Sequence, residues 1–108
     1  MSYDLPQRPR RNRQSAAVRG LVRETHLTPN HLIYPLFVLD GESRREPIES
    51  MPGIDRVTED HALREIESAM KLGVSSFVLF PAVNDDLKDT KATYGLSRDN
   101  FYCRVARA

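Results

Sequence analysis

Apolar and polar positions fall into three kinds of block along this chain, and each kind predicts a different element. Met1 to Gln14 has no helical or two-residue apolar period in a polar setting rich in arginine and proline, which predicts an extended arm. At Ser15 the pattern changes. Ala17, Val18, Leu21 and Val22 then share one face at helical spacing, so a short helix capped by Ser15 is expected through about Glu24. It should end near Thr25, and Thr28-Pro29-Asn30 carries turn chemistry. Leu32 to Leu39 is apolar on both faces of a two-residue period, as in a parallel strand covered on both sides. Pro35 has no ladder donor, so regular pairing is expected to begin after it. Asp40-Gly41 ends the strand, and the charged stretch from Glu42 to Gly53, broken by Pro47 and Pro52, predicts an irregular loop.

The second half has a stronger rhythm. Thr58 suits a helix N-cap, with Glu59 and Asp60 in the first turn, where the helix dipole favours carboxylates. Ala62, Leu63, Ile66, Ala69 and Met70 form one stripe, and Gly73 stands where a left-handed residue ends such a helix. Val74 to Phe80, β-branched and aromatic, predicts a second strand stopped by Pro81. Strand, loop, helix and strand make a βαβ unit with a right-handed crossover and a parallel pair. The polar stretch Pro81 to Leu96 exceeds the roughly two to six residues usual after such a strand. It leaves the C-terminal strand edge, where barrel enzymes assemble their active sites. A last helix is expected from Ser97 to Asn100 onward, with Phe101, Val105 and Ala108 at helical spacing and no C-cap.

A parallel pair this apolar needs strands on both edges and helices on both faces. A closed (β/α)8 barrel takes about 250 residues. The expected fold class is therefore α/β: an extended basic arm over residues 1–14, then residues 15–108 as the N-terminal part of an incomplete (β/α)8 barrel domain.

Composition narrows the function classes. The chain is 40% hydrophobic and 29% charged, as in an ordinary soluble globular protein. Its longest apolar run, Leu32 to Leu39, falls far short of the roughly 20 residues that span a bilayer. No apolar stretch precedes the first arginines, and Asp4 and Pro6 interrupt any targeting helix, so a cytoplasmic location without membrane contact is expected. Cys103 is the single cysteine, which excludes a disulfide framework or a paired-cysteine zinc cluster within one chain. His26, His31 and His61 lack metal-ligand spacing and are expected in surface or capping roles.

Net charge hides an asymmetry. Residues 1–23 hold six arginines (Arg8, Arg10, Arg11, Arg13, Arg19, Arg23) against Asp4, giving +5, so with a net charge of +1 the remainder carries −4. Such an arm can dock on an acidic surface of a sister subunit or on nucleic acid. The block has one aromatic, Tyr3, so nothing interleaves with its arginines as a base-stacking platform would require, which disfavours nucleic acid.

Arg8-Pro9-Arg10-Arg11, Leu21-Val22-Arg23-Glu24, Leu36-Phe37-Val38, Arg45-Glu46-Pro47-Ile48, Met51-Pro52-Gly53 and Leu79-Phe80-Pro81 occur in that order. Together they resemble the N-terminal region of the porphobilinogen synthase family, also called 5-aminolevulinic acid dehydratases, from Arg8 to Ala108. Ala92-Thr93-Tyr94-Gly95 departs from the Glu-Ala-Tyr-Asn stretch usual there. The resemblance implies a TIM barrel with an arm that wraps a neighbouring subunit in a homo-oligomer, commonly an octamer. It implies condensation of two 5-aminolevulinates to porphobilinogen in tetrapyrrole and haem synthesis. It further implies two Schiff-base lysines on later strands and zinc or magnesium held by later residues. No catalytic, cofactor-binding or metal-binding residue is therefore expected among these 108, and the chain alone should be inactive.

The residues agree with that expectation. A Schiff-base lysine needs burial in an apolar pocket or a second cation nearby. Lys71 falls at the polar end of a helix, and Lys88 and Lys91 lie in a loop with Asp85, Asp86 and Asp89, whose charge favours the ammonium form. Asp85 and Asp86 are expected to be solvated rather than a metal or acid/base pair, and Phe80 is expected in the core rather than at a site mouth. The alternative function is a non-catalytic interaction module that docks on other subunits through its basic arm.

Overall fold

The computed structural model describes Pro6, Gln7 and residues 9–108; residues 1–5 and Arg8, which hold the expected start of the arm with Tyr3 and Asp4, lie outside the described residues. The rest of the arm is not uniformly extended. Arg11–Arg13 forms a 3-10 turn before helix α1, Ala16–Leu21. The Ser15 hydroxyl accepts the Val18 N–H at 3.2 Å, so the expected cap is present. The helix stops at Leu21 rather than Glu24. Its stripe buries no residue among the described ones, and six residues containing Gly20 cannot sustain a longer helix by local bonding alone. No side chain from residues 9–32 is buried. The radius of gyration reflects this, at 21.8 Å against about 13 Å for a compact chain of this length.

The turn chemistry at Thr28 is realised as a 3-10 turn over Pro29–His31. The Thr28 carbonyl accepts the His31 N–H at 3.0 Å, and His31 Nδ1 accepts the Thr28 N–H at 3.4 Å.

Four strands form one mixed sheet: β1 Ile33–Val38, β2 Arg45–Pro47, β3 Asp55–Val57 and β4 Ser76–Pro81, in the order β2-β3-β1-β4. β1 is parallel to both β3 and β4, and β2 is antiparallel to β3. The expected irregular loop from Glu42 to Gly53 is thus partly a hairpin. Its tip is closed by Ile48 N–H to Ile54 carbonyl at 3.0 Å, with Gly53 at φ 84°.

The Pro35 expectation also needs correction, because β1 pairs with β4 along its whole length, from Ile33↔Ser76 to Val38↔Pro81. Backbone direction explains the tolerance. The Leu39 N–H donates to the Val57 carbonyl at 3.0 Å, so odd-numbered β1 residues direct their amides toward β3, where pairing starts only at Phe37↔Arg56. The missing donor of Pro35 faces a stretch with no partner strand. The same alternation explains why β4 runs through Pro81 rather than stopping at Phe80. The Ala82 N–H donates to the Val38 carbonyl at 2.7 Å, so the nitrogen of Pro81 faces the outer edge.

Helix α2, Glu59–Lys71, follows β3. Thr58 is its N-cap by backbone, accepting the Ala62 N–H at 2.9 Å, but its hydroxyl does not cap the helix. That hydroxyl accepts the Arg44 N–H at 3.1 Å and donates to Asp60 Oδ1 at 2.6 Å. At the other end Gly73 has φ 93° and donates to the Met70 carbonyl at 2.9 Å, while the Val74 N–H reaches Ala69 at 3.1 Å. This pair of bonds is a Schellman cap, with glycine at the left-handed position as expected.

Helix α3, Phe101–Arg107, closes the described fold, beginning just after the anticipated Ser97–Asn100. The Asn100 side chain accepts the Cys103 N–H at 2.8 Å and acts as the N-cap. α2 and α3 cover one face of the sheet, where Leu36, Val38, Val57, Ala62, Phe101 and Val105 form the core. The apolar stripe of α2 is narrower than expected: Ala62 and Ala69 are buried while Leu63 and Met70 are exposed.

Candidate functional site

The parallel register brings the C-terminal ends of β1, β3 and β4 to one edge of the sheet, and the turns after β1 and β4 leave from it. After β4 the chain makes two 3-10 turns, Asp85–Leu87 and Thr93–Leu96. Asn84 starts the first by accepting the Asp86 N–H at 3.2 Å. Asp89 shapes the second, accepting the Lys91 N–H at 3.0 Å and the Thr93 N–H at 2.9 Å. The Thr93 side chain and then its backbone N–H hold the Asp89 carboxyl below the usual carboxylate range. Ala92 is left-handed at φ 52° and starts the second turn.

Tyr94 and Asn100 fasten the loop to α3. The Tyr94 hydroxyl accepts the Phe101 N–H at 3.2 Å, and Asn100 Nδ2, almost fully buried, donates to the Ser97 carbonyl at 2.7 Å. Between loop and helix lies an open cleft of about 510 Å³, lined mainly by Pro81, Val83, Leu87, Tyr94, Tyr102 and Cys103, and also by Lys88 and Asp89. Sequence reasoning named the loop but missed both fasteners. An Asn at the start of a helical stripe was their one available signal.

A second cluster fixes the turn after β1. Thr58 is fully buried, and the Asp60 carboxylate accepts its hydroxyl together with the Ser43 N–H at 3.0 Å. Those hydrogen bonds, the Thr58 one foremost, hold the Asp60 carboxyl at about 2. Arg104 of α3 reaches Asp40 at 2.6 Å and Glu59 at 3.8 Å, tying that turn to both helices. Arg45 pairs with Glu65 and, at 3.7 Å, with Asp55. These hydrogen bonds and ion pairs position the loops at this edge of the sheet.

Of the lysines, Lys88 borders the apolar cleft beside α3. Lys88 donates to Asp85 Oδ1 at 2.6 Å, and this bond and charge hold the Asp85 carboxyl below the usual range. Lys71 and Lys91 are exposed, as is Asp86. His26 sits 2.9 Å from the Arg23 carbonyl, His31 takes part in the turn before β1, and His61 lies 3.7 Å from Asp60. Among the described residues no three His, Cys, Asp or Glu side chains converge on one point, so they do not fit the zinc or magnesium that the resemblance implies.

Phe80 is not in the core, against expectation. It lies on the sheet face away from the helices, is 47% exposed, and stacks on Phe37 with ring centroids 5.4 Å apart. No described element covers that face, where Ile33 and Val78 are also exposed. Arg13 of the arm and Arg19 and Arg23 of the segment after it border a groove around Val22, and none of these arginines pairs with a carboxylate among the described residues. No helix among the described residues is long and apolar enough to cross a membrane.

Parallel strands with helices on one face, long turns gathered at one strand edge and a bare opposite face define a class: the opening βα units of an incomplete barrel. Comparison with known proteins agrees and goes further. The family model for delta-aminolevulinic acid dehydratase matches residues 6–108. The delta-aminolevulinic acid dehydratase of Bradyrhizobium diazoefficiens is 45% identical over 107 residues, covering 99% of this chain and 30% of the relative. That of Chlamydia pneumoniae is 45% identical over 102 residues, covering 94% and 31%. The crystal structure of the Toxoplasma gondii ME49 enzyme, in complex with the reaction product porphobilinogen, superposes with a TM-score of 0.85 at 43% identity, covering 94% of this chain and 29% of that one.

The chain belongs to the delta-aminolevulinic acid dehydratase family. It spans about 30% of the length of those two bacterial relatives, corresponding to their N-terminal portion.

Proposed function

We propose that this chain is the N-terminal portion of a porphobilinogen synthase, the enzyme that joins two 5-aminolevulinate molecules into porphobilinogen in tetrapyrrole and haem biosynthesis. The observation that carries the reading is the bare face of the β1–β4 parallel pair in a chain 43% identical to an enzyme solved with porphobilinogen bound. In this reading α2 and α3 lie on the outside of a barrel and the Phe37–Phe80 face looks into it. The 108 residues supply scaffold: two strands of the inner wall, the turn held by Asp60 and the loop held by Tyr94 and Asn100. Covalent chemistry needs a lysine buried in an apolar pocket or beside a second cation, whereas Lys71, Lys88 and Lys91 are exposed and Lys88 is bonded to Asp85. The basic arm, residues 1–14, is read as docking on a neighbouring subunit of a cytoplasmic homo-oligomer, an octamer by family resemblance.

The test is product formation. Purified alone and given 5-aminolevulinate, the chain is expected to yield no porphobilinogen. Co-expressed with the complementary C-terminal portion of the Bradyrhizobium relative, it is expected to restore turnover. Turnover by the 108 residues alone contradicts the assignment of catalytic groups elsewhere.

A further inference from the structure

We draw no further inference here: the strongest candidate, the groove at the end of the arm where Arg13, Arg19 and Arg23 border Val22, belongs to the subunit-docking reading already proposed, and nothing in the structure shows another partner for it.

Discussion

The two faces of the sheet are built from alternate residues of the same strands, yet they have opposite fates. Leu36 and Val38 are 2% and 0% exposed under α2 and α3, whereas Val78 and Phe80 on the other face are 37% and 47% exposed. Strand propensity and hydrophobicity are alike on the two sides. What differs is whether a neighbouring layer exists, so an apolar run covered on both sides in the intact barrel is only half satisfied here.

That contrast can be broken by mutation, and the largest effect belongs to the covered face. Leu36→Ala is expected to cost about 2–5 kcal/mol, enough to remove most of the helical circular dichroism of so small a core. Phe80→Ser should leave the helical signal nearly intact and raise solubility. Equal losses from both would mean that the faces are equivalent.

A smaller effect is expected at Gly73, where φ is 93° and an added Cβ would come within 3.2 Å of Pro29 Cβ. Gly73→Ala should cost about 1–3 kcal/mol by strain in the left-handed region. Chemical denaturation at matched pH reads it, and an unchanged midpoint would show that the cap relaxes freely. Asn100→Ala removes the side-chain cap of α3 and is expected to cost about 1 kcal/mol. The signature is faster hydrogen exchange at the Cys103 amide, with α2 amides little changed.

The smallest effect is a pH dependence. The Asp60 carboxyl is held at about 2 by Thr58 and Ser43, below its ordinary value, so its contribution is present above about pH 4 and is lost as pH falls through about 2. Asp60→Asn should flatten the acid-unfolding curve between those two values. An identical curve in the variant would remove Asp60 from the acid transition.

Much of this fold was legible because periodicity and end signals coincide. α2 has a helical stripe, acids in its first turn and Gly73 at its end, so local preference and tertiary packing agree. β2 and β3 were not legible. Each is three residues long, with charged Arg45-Glu46 and Asp55-Arg56, and tertiary pairing rather than apolar alternation makes them strands. Pro35 misled because sequence does not reveal which side of β1 its missing donor faces. Thr58 was placed correctly at a helix start, but its hydroxyl answers to Arg44, fourteen residues away. The fate of Phe80 depends on whether a neighbouring layer is present, which strand periodicity alone does not specify.

Thermal unfolding of the purified 108-residue chain, followed by near-ultraviolet circular dichroism with a hydrophobic dye present, tests most directly whether the bare face needs outside cover. A broad transition with dye bound at low temperature is expected. A sharp cooperative melt of a monomer that binds no dye would contradict it.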